Sequence, residues 1–200
     1  MSKGQETRQR ILAQAAGIFN QHGFEGSSMS ELMKATGLEK GGIYRHFSSK
    51  EELAAEAFDY AWQAAQQARM HGVDALPNSV DRLKKFAANF IDRRSPVPGG
   101  CPLLNTAIDS DDGNAVLRAR SLQSLEGWRG RIAALVEAGK LKQEIRPEVD
   151  ANCLALLMIS LLEGALMISR LQKKPDALQN ARTHLDHYLE AQVRLSGIAD

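Results

Sequence analysis

The chain has 200 residues, 44% of them hydrophobic and 24% charged, with a formal net charge of +1. That is an ordinary soluble composition, long enough for one domain or a small domain joined to a larger one, and able to bury a core either way. So small a net charge carries no nucleic-acid signal by itself, but the charge is uneven: residues 1–50 hold seven Lys/Arg and four acids, a net of +3, which leaves −2 for the rest.

Cys101 and Cys153 lie far apart with no CxxC pair, which excludes a metal finger and a disulfide scaffold. The polar N-terminus has no signal-peptide core. The longest apolar run, Cys153 to Ile168, is 16 residues long and contains Glu163. It is too short and too charged for a membrane span and reads as a buried helix. A cytoplasmic protein with no membrane partner is expected.

In chain order, residues 1–6 are polar and expected to fray. From Thr7, Ile11, Leu12, Ala15, Ile18 and Phe19 line one helical face, and Gly23 stops the helix so that Phe24 folds back on it. Ser28 and Glu31 form a capping-box pair for a helix over 29–36, ended by Gly37, with Leu38 as a core plug. A third helix starts near Lys40. At about 100° per residue, Ile43 and Phe47 point inward while Arg45 points away, with Gly41 and Gly42 on the outward side. Glycines there cost about 1 kcal/mol each against alanine, and they leave room for something to come close. A helix pair with one apolar and one bare face, carrying Lys40, Tyr44 and Arg45, fits a DNA major groove.

Ser49 and Glu52 form a second capping pair, opening a long helix from about Lys50 to Met70 that links a head to a body. A fifth helix covers about Val80 to Arg93. Ser95-Pro-Val-Pro-Gly-Gly100 is the strongest break, and 101–108 is a short buried helix. Asp109, Asp111 and Asp112 suit the start of a helix from about Asn114 to Glu137, ended by Gly139. Pro147 opens a helix to about Lys173, and a last one follows Pro175 to about Ser196, stopped by Gly197. The fold class is all-α with about nine helices. A head over 1–52 carries the helix-turn-helix, and a body over 53–200 is left to serve as a handle, a dimer surface or a sensor.

The residues Gly23-Phe-Glu-Gly-Ser-Ser-Met and Gly37-Leu-Glu-Lys-Gly-Gly-Ile-Tyr-Arg-His-Phe-Ser-Ser-Lys-Glu-Glu-Leu53 resemble the TetR family of bacterial transcriptional regulators over about residues 7–55. The resemblance implies a three-helix DNA-binding head, a ligand-binding helical body, a homodimer through the last two helices, and repression relieved by a small molecule. It also implies that Ser28 caps the second helix and touches phosphate, and that Lys40, Gly41, Gly42, Tyr44, Arg45 and His46 face DNA. Lys50 is implied to reach phosphate. Glu39 departs from the family's usual small hydroxyl residue, and it is read as capping the third helix. Gly42 stands where Thr, Ser or Ala is common.

Arg45 is the residue assigned to a base, guanine through O6 and N7, with phosphate contact as an equal alternative. Candidate pocket residues are Trp62, Phe86, Phe90, Cys101, Leu104, Trp128, Met158 and Glu163; the same aromatic and Met content fits a packed core. Glu163 is left open between pocket, dimer seam and solvent. The three aspartates fail the EF-hand spacing, because Gly113 and Arg120 stand at the fifth and twelfth positions. His184, His187 and Glu190 share a helix face, a chance pattern in amphipathic helices. No metal and no cofactor is called for. For dimerisation, Leu154, Leu157, Met158, Leu161, Leu162, Ala165 and Leu166 form one stripe, and Leu178, Leu185, Tyr188, Leu189 and Val193 another. The expected partners are double-stranded DNA, a second copy and an unidentified effector. A ligand-independent DNA-binding protein and a helical enzyme are the alternatives, and no catalytic motif supports the latter.

Overall fold

The computed structural model describes residues 2–93 and 95–195. Nine α-helices occur among them: α1 (Lys3–Gly26), α2 (Met29–Thr36), α3 (Lys40–Tyr44), α4 (Lys50–Met70), α5 (Ser79–Asp92), α6 (Pro102–Ser110), α7 (Ala115–Leu141), α8 (Ala151–Gln172) and α9 (Asp176–Tyr188). A π-helical stretch, Leu189–Val193, follows α9. No strand occurs among the described residues; an isolated bridge pairs Ile145 with Arg194. The expected stop at Gly197 lies outside the described residues.

The chain divides into two compact units, one of Met1–Gln66 with Ser95–Leu125 and one of Gln67–Arg94 with Glu126–Asp200. The first has a core of Ile11, Leu12, Leu32, Ile43, Phe47 and Leu53, joined by Val97 from the proline loop. Its helix ends are set by short-range chemistry. Ser2 and Gln5 close a capping box, so the chain is helical from Lys3 where fraying was expected. Gly23 sits at φ 75°, which breaks the α-helical path there, and the Phe24 ring lies back on Phe19 with centroids 6.4 Å apart. Ser28 and Glu31 close their box, and Gly37 ends α2 in the left-handed region.

In the second unit, Asn78 caps α5, whose Leu83, Phe86, Ala87 and Phe90 are buried. The Asn89 amide donates to the carbonyls of Arg69 and His71, satisfying the end of α4. Two sequence expectations fail here. α7 runs through Gly139, where a Cβ would lie 2.6 Å from Ile145 Cδ1 and 2.8 Å from Ser79 Cβ, so this glycine serves close packing rather than termination. The helix ends instead at Leu141, and Gln143 takes the left-handed conformation beyond it. Pro147 lies in a turn, and α8 begins at Ala151 with the Asp150 carboxylate accepting from Cys153 N at 2.8 Å. α8 is long and apolar enough to cross a membrane by length and composition, but Leu154, Met158 and Leu162 pack into the core of this unit.

The π-helical end is tied down by charge. Arg194 donates to Glu190, Asp81 and Asn78, and Lys84 also donates to Glu190. Hydrogen bonds from Arg194 and Lys84 hold the Glu190 carboxyl at about 2, below its ordinary 4.5. A lowered acid contributes stability above the unfolded value and loses it as the pH falls through the folded one. The latch is therefore complete above about pH 5 and weakens from about 4.5 towards 2. Glu190→Gln should cost under about 1 kcal/mol at pH 7, as for a solvent-exposed pair, and nothing near pH 2. Urea denaturation of both proteins across that range checks this; a difference that stays constant with pH would contradict it.

Candidate nucleic-acid interface

The surface to be explained is the short turn-rich stretch after α2. Ile43 and Phe47 are 1% and 2% exposed and anchor it to the unit's core, while Arg45 on the other side is exposed. α3 itself is only five residues long. It continues as a turn in which Arg45 N donates to Gly41 O and His46 N to Ile43 O. Two glycines near its start and the break at Phe47 explain the shortness: glycine contributes no side chain to hold a helix and loses the most entropy in one. Lys40 and Tyr44 are neighbours, with Nζ 5.9 Å from the ring centroid. Tyr44 and His46 are half-buried, and Ser28 is exposed at the start of α2.

Two expectations, for Glu39 and Gly42, are corrected in detail, while that for Gly41 is met. The Glu39 side chain makes no capping hydrogen bond, although Glu39 occupies the N-cap position of α3. Gly41 faces open space, with nothing within 4 Å of a Cβ placed there. Gly42 does not: a Cβ there would meet Leu38 Cβ at 3.4 Å, because the turn plug folds under that flank of the helix. Clearance on the bare face therefore comes from Gly41 alone of the two.

Electrostatics sharpen the two capping boxes. Backbone and hydroxyl hydrogen bonds from Ser28 hold the Glu31 carboxyl below its ordinary range. Glu52 is lowered likewise, but its bonds come from the hydroxyl and amide of Ser48, one residue before the expected Ser49. Ser49 Oγ still accepts from Glu52 N. Lys50 is more engaged than expected. Its Nζ donates to Phe24 O at 2.6 Å and lies 4.4 Å from the Phe24 ring centroid, which closes the carbonyl end of α1. An ammonium has three N–H donors, so this leaves others for a further acceptor.

Two structural cations escaped the sequence reading. Arg8 pairs with Glu56 and lies over the Phe47 ring, bracing the end of the α3 turn against α1 and α4. Its place three and four residues before Ile11 and Leu12, on the core-facing side of α1, was the available signal. Arg69 is 5% exposed in the second unit, with its guanidinium carbon 4.4 Å from the Trp128 ring and 4.6 Å from Phe90. Glu163 lies 3.9 Å from it. Arg69 falls four residues after Ala65 on the buried face of α4, a position that marks an arginine with a partner.

The pocket candidates fall in both units. Trp62, Cys101 and Leu104 belong to the first; Phe86, Phe90, Trp128, Met158 and Glu163 belong to the second. In the second, Phe90 stacks on Trp128 at 6.0 Å and Phe86 tilts against it at 6.2 Å, while Met158 is fully buried. A cavity of about 20 Å³ within the first unit is lined by α1, α4, α6 and α7 residues, none of them a pocket candidate. Glu190, the third member of the His184–His187 trio, is taken up by Arg194 and Lys84, and among the described residues no metal-binding cluster forms.

A helical protein whose first 50 residues form a capped helix, a turn and an outward basic face is a helix-turn-helix DNA-binding regulator by class. The comparisons agree. Residues 11–57 match the family described as bacterial regulatory proteins, tetR family, and residues 79–185 match a tetracyclin repressor-like C-terminal domain. A TetR transcriptional regulator from Chloroflexus aurantiacus superposes with a TM-score of 0.94 at 49% identity, over 98% of this chain and 100% of that one. A TetR-family regulator from Cytophaga hutchinsonii gives 0.91 at 33% identity, over 98% of each chain. The uncharacterized HTH-type regulator YxaF of Bacillus subtilis is 28% identical over 86% of this chain and 90% of its own length. The chain belongs to the TetR family of transcriptional regulators. Its relatives are regulators, not enzymes, which sets the enzyme alternative aside.

Proposed function

We propose that the protein is a homodimeric cytoplasmic repressor that binds a palindromic DNA site through residues 40–46 and releases it when a small molecule occupies the body. The observation that carries the DNA half is Arg45, exposed on the side of the helix turn opposite the buried Ile43 and Phe47, beside open space at Gly41. On this reading Arg45 reads a base. Lys40, Tyr44, His46, Ser28 and a remaining donor of Lys50 hold phosphates. On the same reading residues 1–52 are the DNA-binding head and residues 53–200 the ligand-binding and dimerisation body.

The dimer reading is supported by α8, with its face moved from the one expected. Leu154, Met158, Leu162 and Ala165 are spent on the core, whereas Leu156, Leu157, Met167, Ile168 and Leu171 are exposed. With Cys153, Ser160 and Gly164 between them, these residues recur at three- and four-residue steps as one stripe whose small members allow close approach. Leu185 of α9, with Leu189 and Val193 of the π-helical stretch after it, is likewise buried within the unit. The repressor reading draws on the HTH-type transcriptional repressor DhaR of a Mycobacterium species, 23% identical over 88% of each chain. The effector reading draws on a regulator from Saccharomonospora viridis solved in complex with choline, 21% identical with a TM-score of 0.79.

Salt titration tests the DNA half. Affinity for DNA upstream of the chain's own gene should fall steeply with salt, and Lys40→Ala should lower the log–log slope by about 2, roughly one per protomer of the dimer. An unchanged slope would remove Lys40 from the phosphate set. A thermal-shift screen of metabolites tests the effector half, since a ligand of the folded state raises the melting temperature. Stabilising compounds that all leave the DNA complex intact would count against release.

A further inference from the structure

The strongest polar cluster of the first unit lies away from the DNA-facing turn, where α6 meets the end of α1. Asn105 Nδ2 donates to Asn20 O at 2.8 Å, Asn20 Oδ1 at 3.0 Å and Gly99 O at 2.9 Å. Asn20 Nδ2 in turn donates to Pro98 O at 2.8 Å and Gly100 O at 3.3 Å. Asn20 is 6% exposed and Asn105 half-buried, so this is a part-buried network in which the Asn20 amide both donates and accepts. One helical turn further along α6, the Asp109 carboxylate accepts from Phe24 N at 2.7 Å. Asp109 thus serves the α1–α2 corner rather than the start of α7, which Asn114 caps through Leu117 N.

The backbone is shaped for these bonds. Gly23 holds φ 75°, and a Cβ there would run into Asp109. Gly99 holds φ 112°, and a Cβ there would lie 2.6 Å from Asn20 O. The residue bound by Asp109, Phe24, is the same one whose carbonyl and ring are held by Lys50 at the start of α4. α1 packs on α2, and α2 on the α3 turn. By contrast, α6 residues Pro102, Asn105, Thr106 and Asp109 share the cavity of about 20 Å³ with Ala54 and Phe58 of α4. Packing around a cavity passes on displacement less stiffly than close-packed atoms or hydrogen bonds do.

We propose that Asn105 and Asp109 are positioning residues for DNA binding: their hydrogen bonds from α6 fix the α1–α2 corner against which the recognition turn is set. The proposal rests on the DNA-binding reading and adds to it the path by which the turn is held. Neither side chain belongs to the DNA-facing turn, so their loss acts on the poise of the head and not on its phosphate contacts. The coupling is a direct helix-to-corner connection made by side chains that the repressor reading leaves without a role.

The test uses the full chain and the DNA it protects, well below the melting temperature of each variant. Asp109→Ala should weaken operator binding about tenfold, within the usual range of coupling between sites, and leave binding to unrelated DNA and the salt slope unchanged. Hydrogen exchange at the Phe24 amide should speed up in the same variant. Asp109→Asn keeps an acceptor oxygen and should restore both readouts to within about twofold. If Asp109→Ala does not fold, Asn105→Ser, which removes the amide donors to Asn20 and Gly99, takes its place with the same expected weakening. Fast exchange at Phe24 with wild-type operator affinity would overturn the coupling and leave the DNA reading standing. Failure of the wild-type chain to bind DNA would overturn both.

Discussion

Arg45→Ala should reduce the preference for the operator over unrelated DNA by roughly 1–3 kcal/mol per half-site, the discrimination of one bidentate base contact. A dimer uses two such contacts, so the specific complex loses roughly 2–6 kcal/mol, or one to four orders of magnitude. Stability should hardly change, because the side chain is exposed and the fold leans on Ile43 and Phe47 beneath it. Anisotropy titration against operator and scrambled duplexes separates the two roles open to this residue. If Arg45 serves a phosphate, both duplexes weaken equally and the salt slope falls. If it reads a base, the operator alone suffers.

Leu157→Arg should have an effect of similar size by another route. Leu157 is 43% exposed near the middle of the α8 stripe and makes no core contribution comparable to that of its buried neighbour Met158. An arginine there costs the monomer little, but it places two like charges across a two-fold axis in a dry seam. The chain should become monomeric by sedimentation while keeping its helical content. Operator affinity should drop about 10²–10⁴-fold, because the second head no longer binds at the effective concentration set by the first. A Leu157→Arg chain that stays dimeric would move the interface off this face of α8.

The head was legible in the sequence because its signals are local. Ser28 and Glu31 lie three apart, Gly37 follows the last helical residue, and the angle count separates Ile43 and Phe47 from Arg45. The structure keeps each of these. What failed was either ambiguous locally or depended on distant partners. Gly139 and Pro147 carry the residue types of helix ends, yet Gly139 is required by Ile145 and Ser79, and Pro147 lies in a turn short of the helix that Asp150 caps. α8 is apolar on most of its circumference, so periodicity could not tell the core side, Leu154 and Met158, from the exposed side, Leu156 and Leu157. Lys50, Asp109 and Arg69 have partners 26, 85 and 94 residues away in sequence, and no spacing rule anticipates those.

The central claim is that the turn from Lys40 to His46 places a dimer on DNA of defined sequence. A hydroxyl-radical footprint on the DNA upstream of the chain's own gene tests it most directly. The wild-type protein should protect a two-fold symmetric segment with half-sites about one helical turn apart, or a multiple of that, at concentrations where Arg45→Ala protects nothing. Protection without symmetry, or an identical footprint from Arg45→Ala, would contradict it.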